Sequence, residues 1–224
     1  MTTTLKTLLT AVLLVAGTTT GHAGDLSSTV TLTSDYDFRG VTQTSEDPAL
    51  QASLDYAFGE GFTLGAWASN VDFGPGTDSN VEADVYGGYT KSYDNGFTWN
   101  AGFIYYTYHP GGDHVNNFEL AVGGGYKNFG TKYYYSDDFS SSGLSAYYLE
   151  ANYTQPLPKD FALSVHAGKS GGDYWTAAGG AYEDYGIAVS KPVGHFTASV
   201  KYAFSDTYAD RVIVSLVTTF PWKD

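Results

Sequence analysis

The stretch Val30-Thr31-Leu32-Thr33-Ser34-Asp35-Tyr36-Asp37-Phe38-Arg39 alternates with a period of two. Val30, Leu32, Tyr36 and Phe38 share one parity with Ser34, while Thr29, Thr31, Thr33, Asp35, Asp37 and Arg39 share the other. That pattern predicts a β-strand with one apolar and one polar face. After a loop from Gly40 to Pro48, Leu50, Ala52, Leu54, Tyr56 and Phe58 alternate with Gln51, Ser53 and Asp55, and Gly59-Glu60-Gly61 turns the chain.

The same pattern recurs to the end of the chain. Further strands are expected over 62–73, 81–91, 97–108, 118–126, 133–139, 147–153, 161–168, 184–190, 196–205 and 211–220, with an Asn95-Gly96 hairpin signal between two of them and the longest loop at Ser170 to Ala181. Ile104, Ile213 and Val217 fall on the polar parity and blur it. Each segment runs about 9 to 12 residues, the length of a tilted strand crossing a membrane. The count is about twelve and even, as closed single-chain barrels require.

Composition narrows the class. The chain has 224 residues, 17% aromatics, 27 glycines, 20 tyrosines, no cysteine and a formal charge of -13. Lack of Cys excludes disulfides, thiolate metal sites and a cysteine nucleophile. The acidic excess argues against nucleic acid as a partner, since a phosphate backbone needs a basic surface. Residues 1–23 read as a Sec signal peptide: Lys6, an apolar core from Leu8 to Ala16, and the small-x-small site Gly21-His22-Ala23. Residues 24–224 then form one domain.

Alternation alone does not say which face is inside. Three features favour a polar interior. The connections alternate between tight turns and longer loops rich in Gly, Asp and Ser, the outer-membrane arrangement. Aromatics such as Phe38, Phe58, Phe62, Phe97, Phe118, Tyr126, Tyr153, Phe161, Phe196, Phe204 and Phe220 gather near segment ends, where interfacial girdles would lie. The polar face keeps many charges. The expected fold is all-β, a closed antiparallel up-and-down transmembrane β-barrel of about 12 strands, in the bacterial outer membrane.

Ser34-Asp35-Tyr36-Asp37-Phe38-Arg39-Gly40-Val41-Thr42-Gln43-Thr44, followed by Asp47-Pro48-Ala49-Leu50-Gln51 and Asp55-Tyr56, resembles the opening signature of the bacterial TorF-type porin family. The resemblance continues through Trp67 to Phe73, Glu82 to Tyr89, Lys132 to Ser136, Tyr147 to Ala151 and Asp184 to Lys191, nearly the whole of residues 24–224. It implies an outer-membrane barrel with a pore role, and it implies no catalytic or binding residues.

On the polar parity, Asp35, Asp37, Arg39, Gln51, Asp55, Glu82, Asp84, Glu119, Glu150, Asp184, Lys201 and Arg211 are the expected pore lining. Acids around most of the ring with Arg39 and Arg211 at one seam would give a transverse field and a preference for cations. A solvated lining that pairs locally is the plainer alternative. Tyr86, Tyr106, Tyr134 and Tyr148, with Trp67, would form a sugar-stacking track or simply narrow the lumen. His109, His114 and Asp113 are too few for a metal site, and Gly168-Lys169-Ser170 lacks the glycine and helix of a phosphate loop. His166 has no nucleophile elbow to serve.

The leading expectation is therefore a passive channel for small hydrophilic solutes or cations, in contact with outer-membrane lipid, without cofactor or nucleic acid, and compatible with a homo-oligomer. A non-conducting structural or interaction barrel with a plugged lumen is the alternative, and an outer-membrane hydrolase using His166 is the third.

Overall fold

A computed structural model of the chain describes residues 24–75 and 77–222. The signal segment expected at 1–23 lies outside them. Twelve strands form the wall: β1 (Asp25–Thr33), β4 (Ala49–Gly59), β5 (Phe62–Asn70), β6 (Val81–Ser92), β7 (Phe97–His109), β8 (Asn117–Tyr126), β9 (Phe129–Ser136), β10 (Ala146–Pro156), β11 (Ala162–Gly171), β12 (Tyr182–Val193), β13 (Phe196–Ser205) and β14 (Arg211–Phe220). Each pairs antiparallel with its sequence neighbours, and β1 pairs with both β4 and β14, so the sheet closes. Two short strands, β2 (Asp37–Phe38) and β3 (Val41–Thr42), form a separate hairpin off the wall.

Register turns parity into two surfaces. Leu32 lies opposite Leu216 on one side and Leu50 on the other, and all three leucines are exposed. Leu54, Val85, Leu120, Val122, Val200, Val212 and Val214 continue this outer apolar belt. A continuous belt of this extent suits lipid, not water. The other parity is buried inside the ring, with Gln51, Glu82, Asp84, Glu119, Asp184 and Arg211 among its polar members. Tight turns at 60–61, 93–96, 127–128, 157–161 and 194–195 occupy one end. Aromatics collect there: Phe62 meets Tyr89 at 4.7 Å, Tyr56 meets Phe58 at 4.8 Å and Phe220 meets Trp222 at 4.9 Å between ring centroids.

Three expectations need correction. The first strand does not run to Arg39. It begins at Asp25 and leaves the wall after Thr33, where the Ser34 amide makes a last bond to the Val214 carbonyl at 2.9 Å. From there the chain turns into the barrel, so Tyr36 and Phe38 lie in the lumen instead of on the apolar exterior. The longest connection is consequently the one between β1 and β4, not residues 170–181, where β11 persists to Gly171 and a short helix α1 (Asp173–Ala177) follows. The strand expected over 133–139 is β9, which runs from Phe129 to Ser136; Phe139 is the one buried residue of the turn that follows, packed against Tyr174 and Trp175.

The apolar residues on the polar parity also find their reason. Ile104 packs inside the barrel with Tyr106, Ala121, Tyr134 and Tyr148, and Phe38 rests on this cluster. They form an apolar seat for the inward segment.

Placing a charge on the outer belt should cost what lipid exacts. Val214→Arg, near the middle of β14, is expected to lower folding stability in bilayers by about 2–4 kcal/mol. Ala188→Lys, whose side chain enters the lumenal cavity, should cost much less. Urea titrations of both variants check the assignment of faces, and equal losses would overturn it.

Candidate functional site

The candidate site is the lumen where residues 34–44 fold into it, before the exposed stretch 45–48 returns the chain to β4. The hairpin tip is Arg39-Gly40, with φ of 52° and 82°, and Phe38 pairs with Val41 across it. Positive φ at both central residues is the type I′ turn, which accepts glycine readily at the second position. Threonines brace the arms: Thr42 Oγ1 donates to Asp35 Oδ1 at 2.6 Å, and the Tyr36 amide donates to Thr44 Oγ1 at 3.1 Å. The Gln43 amide bonds the Tyr36 carbonyl at 2.7 Å, and the Asp72 amide bonds the Gln43 carbonyl at 2.8 Å.

Charges fix this segment to opposite walls. Arg39 reaches across the lumen to β8, where its guanidinium bonds both Glu119 oxygens at 2.8 and 2.6 Å. Its Cζ lies 4.6, 4.7 and 4.5 Å from the ring centroids of Phe38, Tyr134 and Tyr148. On the seam side, Arg211 of β14 bonds Asp35 and Asp37, and donates to the Gly40 carbonyl at 2.6 Å. Lys201 of β13 bonds Asp37 at 2.7 Å. The two arginines therefore do not stand together at one seam as bare charges; each is neutralised by carboxylates, and they hold the segment from opposite sides.

Tyr86, Tyr106, Tyr134 and Tyr148 have a role that the sequence did not suggest. Each donates its hydroxyl to a carboxylate: Tyr86 to Asp55 at 2.5 Å, Tyr106 to Glu119 at 2.9 Å, Tyr134 to Glu150 at 3.4 Å and Tyr148 to Asp184 at 3.0 Å. Two of these pairs reach past an intervening strand. Asp55, Gly65 and Tyr86 lie in one cross-strand row, and a Cβ at Gly65 would come within 2.4 Å of the Tyr86 ring. At Gly168, the residue of the false phosphate-loop motif, a Cβ would come within 2.0 Å of the Tyr148 hydroxyl. Glycine on the middle strand lets the phenol cross it. Trp67 is used differently, meeting Tyr36 edge-on at 5.4 Å.

His166 is held in the same network. Its Nε2 lies 2.9 Å from Asp184 Oδ1 and 3.0 Å from the Tyr148 hydroxyl, and its Nδ1 lies 2.7 Å from Asn152 Oδ1. Its hydrogen-bond partners are thus an acid, an amide and a phenol, none of them a serine. His109, by contrast, is exposed and 3.1 Å from the Thr107 hydroxyl. Among the described residues no group of three or more His, Cys, Asp or Glu converges as a metal site.

All twelve residues expected to line the interior face the lumen, nine from the wall and Asp35, Asp37 and Arg39 from the inward segment. Among the described residues Glu82 and Asp84 make no salt bridge, and Gln51 is buried in the same cross-strand row as Glu82. Beneath the segment a cavity of about 110 Å³ runs along β9 to β14, lined by Asp37, Asn152, Thr154, His166, Ser199 and Lys201 among others. Lumenal carboxylates (Asp35, Asp37, Asp55, Glu82, Asp84, Glu119, Glu150, Asp184) outnumber the permanent cations Arg39, Lys132, Lys201 and Arg211.

A closed twelve-strand barrel with an apolar exterior and a charged, tyrosine-rich interior is a porin-like transmembrane barrel. The chain belongs to the bacterial family described as "Bacterial protein of unknown function (Gcw_chp)", whose model matches residues 16–220. No curated protein matches its sequence. Among solved structures it is similar to the KdgM porin, with 12% identity and a TM-score of 0.61 over 88% of this chain and 99% of that one. The NanC porin is similar at 11% identity and a TM-score of 0.58, over 88% and 100% of the two chains. A structure of the KdgM porin in complex with disordered oligogalacturonate matches at 11% identity and a TM-score of 0.56, over 88% and 99%. At these identities the likeness is one of fold.

Arg39→Ala should release the tip of the segment, because it leaves Glu119 buried without its cation. Breaking such a pair costs about 3–5 kcal/mol, and about 1.4 kcal/mol is tenfold in an equilibrium. Amide hydrogen exchange at Gln43 is therefore expected to accelerate by roughly a hundredfold or more. Unchanged exchange would mean that the hairpin holds its place without the arginine.

Proposed function

We propose that the protein is a channel of the bacterial outer membrane that passes small hydrophilic solutes and favours cations. Export directed by residues 1–23 delivers it there. The observation that carries this reading is the interior itself: a closed, polar lumen in which carboxylates outnumber permanent cations, beneath a segment that narrows it. The fold it shares with the KdgM and NanC porins and the resemblance of Ser34–Thr44 to the TorF-type porins support a pore role. Unlike the oligogalacturonate bound in one KdgM structure, which is a polyanion, the solutes suited here are neutral or positively charged. A fixed negative excess in a low-dielectric-walled lumen attracts cations and repels chains of carboxylates.

One specific feature favours a second reading. Residues 34–44 cross the lumen and are tied at both walls, the arrangement of a plugged, non-conducting barrel. The two readings separate in planar bilayers. Wild-type protein should give small steady openings with a reversal potential biased to cations in a salt gradient. Replacing residues 35–47 with a short Gly-Ser linker should raise conductance severalfold. Current from the replacement alone would identify the segment as a closed gate, and silence from both would give the structural reading first place.

A further inference from the structure

Glu82 and Asp84 stand two residues apart on the lumenal face of β6, 1% and 4% exposed. Tyr108 donates to Glu82 Oε1 at 3.2 Å. Glu82 Oε2 and Asp84 Oδ1 have no hydrogen-bond partner, and neither residue makes a salt bridge among the described residues. The nearby cations are committed elsewhere: Arg39 to Glu119, Arg211 to Asp35 and Asp37, and Lys201 to Asp37. Two buried carboxylates without a counter-charge are strongly unfavourable, both from desolvation and from mutual repulsion.

A second observation comes from the inward segment. The Tyr36 hydroxyl, from a side chain 1% exposed, approaches Glu82 without closing a well-formed hydrogen bond to any described residue, and it lies beside both acids. Gln51 joins them through the cross-strand row Gln51, Ser69, Glu82, Tyr108. Every acceptor assembled here is oxygen, from carboxylate, phenol, hydroxyl or amide, and the Gln51 amide also carries an Nε2 without a hydrogen-bond partner among the described residues. Such a set suits a hard cation, and soft metals have no ligand in it.

We propose that Glu82 and Asp84, capped by Tyr36, bind a divalent cation of the calcium type. Two carboxylates match its double charge, and Ca²⁺ tolerates the irregular all-oxygen shell that Mg²⁺ does not. Since no group of three or more acids converges among the described residues, neutral oxygens and water complete the shell. The affinity is accordingly modest, about 10⁻⁴ to 10⁻³ M, the weak end of protein calcium sites. Tyr36 and Gln51 line the lumenal cavity, which gives the ion its route. The site does not depend on whether the barrel conducts.

Terbium luminescence tests it, because Tb³⁺ takes calcium sites and emits when a neighbouring Tyr or Trp ring is excited; Tyr36, Tyr108 and Trp67 surround the pair. Folded protein in detergent should show saturable sensitised emission that millimolar Ca²⁺ displaces and NaCl of equal ionic strength does not. Glu82→Gln and Asp84→Asn, singly, should each weaken Tb³⁺ binding about tenfold. The double variant should abolish the displaceable component while keeping the heat-modifiable barrel. Tyr36→Phe should weaken binding severalfold. Wild-type protein without Ca²⁺-displaceable emission would overturn the proposal and leave the pair neutralised by protons. Equal emission from wild type and the single variants would overturn it by placing the ion on exposed loop acids.

Discussion

Closure of the sheet between β1 and β14 is the constraint on which the rest of the structure depends. In lipid no water can satisfy a backbone N–H or C=O, so an open edge is not tolerated and the last strand must find the first. Thr29 opposite Thr219 and Leu32 opposite Leu216 make that seam. Once the sheet is a ring, each strand has one face in lipid and one enclosed, and a period of two in sequence becomes the division of the molecule into an apolar surface and a polar interior. Twelve strands enclose more space than an eight-strand barrel fills with side chains. The chain fills part of that space with its own first connection.

A segment of backbone inside the lumen needs its polar groups bonded and its charges matched, because the interior is poorly solvated. The sequence meets both demands locally. Thr42 and Thr44 bond Asp35 and the Tyr36 amide, and the Arg39-Gly40 turn closes the hairpin without a longer loop. Longer-range matching falls to Arg39, Arg211 and Lys201. Arg39 combines a bidentate carboxylate bond with three aromatic faces, each stacking contributing about 0.5–2 kcal/mol, a combination that lysine does not offer. The segment is thereby held at its tip and at its base by different walls of the barrel.

Much of this architecture was legible in the amino-acid order. From Leu50 onward, parity alone assigns the outer and inner face of nearly every strand, because one face meets hydrocarbon and the other does not. The inward hairpin was not legible, and the reason is physical. A two-residue hairpin conserves alternation along its arms, so Asp35, Tyr36, Asp37, Phe38 and Arg39 read as five more positions of β1. The signals that distinguish them are Arg39-Gly40 as a I′ turn and Ile104 as an apolar residue on the polar face, where Phe38 comes to rest. The tyrosine-carboxylate pairs were equally hidden. Tyr86 meets Asp55, and Tyr148 meets Asp184, across a strand that glycine leaves open, and that depends on register, which parity does not specify.

The distribution of charge, more than its total, bears on what the lumen does. Asp35, Asp37 and Glu119 carry counter-charges and serve to hold the segment, so they add little to the field that an ion in the lumen experiences. Asp55 and Glu150 are bonded by phenols, which leave the negative charge in place while fixing its position. Glu82 and Asp84 have neither a cation nor a full set of donors. Among the described residues, carboxylates without a salt-bridging cation therefore stand in two places: Asp55, Glu82 and Asp84 on the β4 to β6 wall, beside Tyr36 of the inward segment, and Glu150 at the cavity along β9 to β14. Position of the segment and occupancy of that acidic wall are coupled through one side chain: Tyr36 leaves the carboxylates whenever the hairpin leaves the lumen. A cation bound by both carboxylates and the Tyr36 oxygen, as proposed above, would favour the inward arrangement by its differential affinity for it.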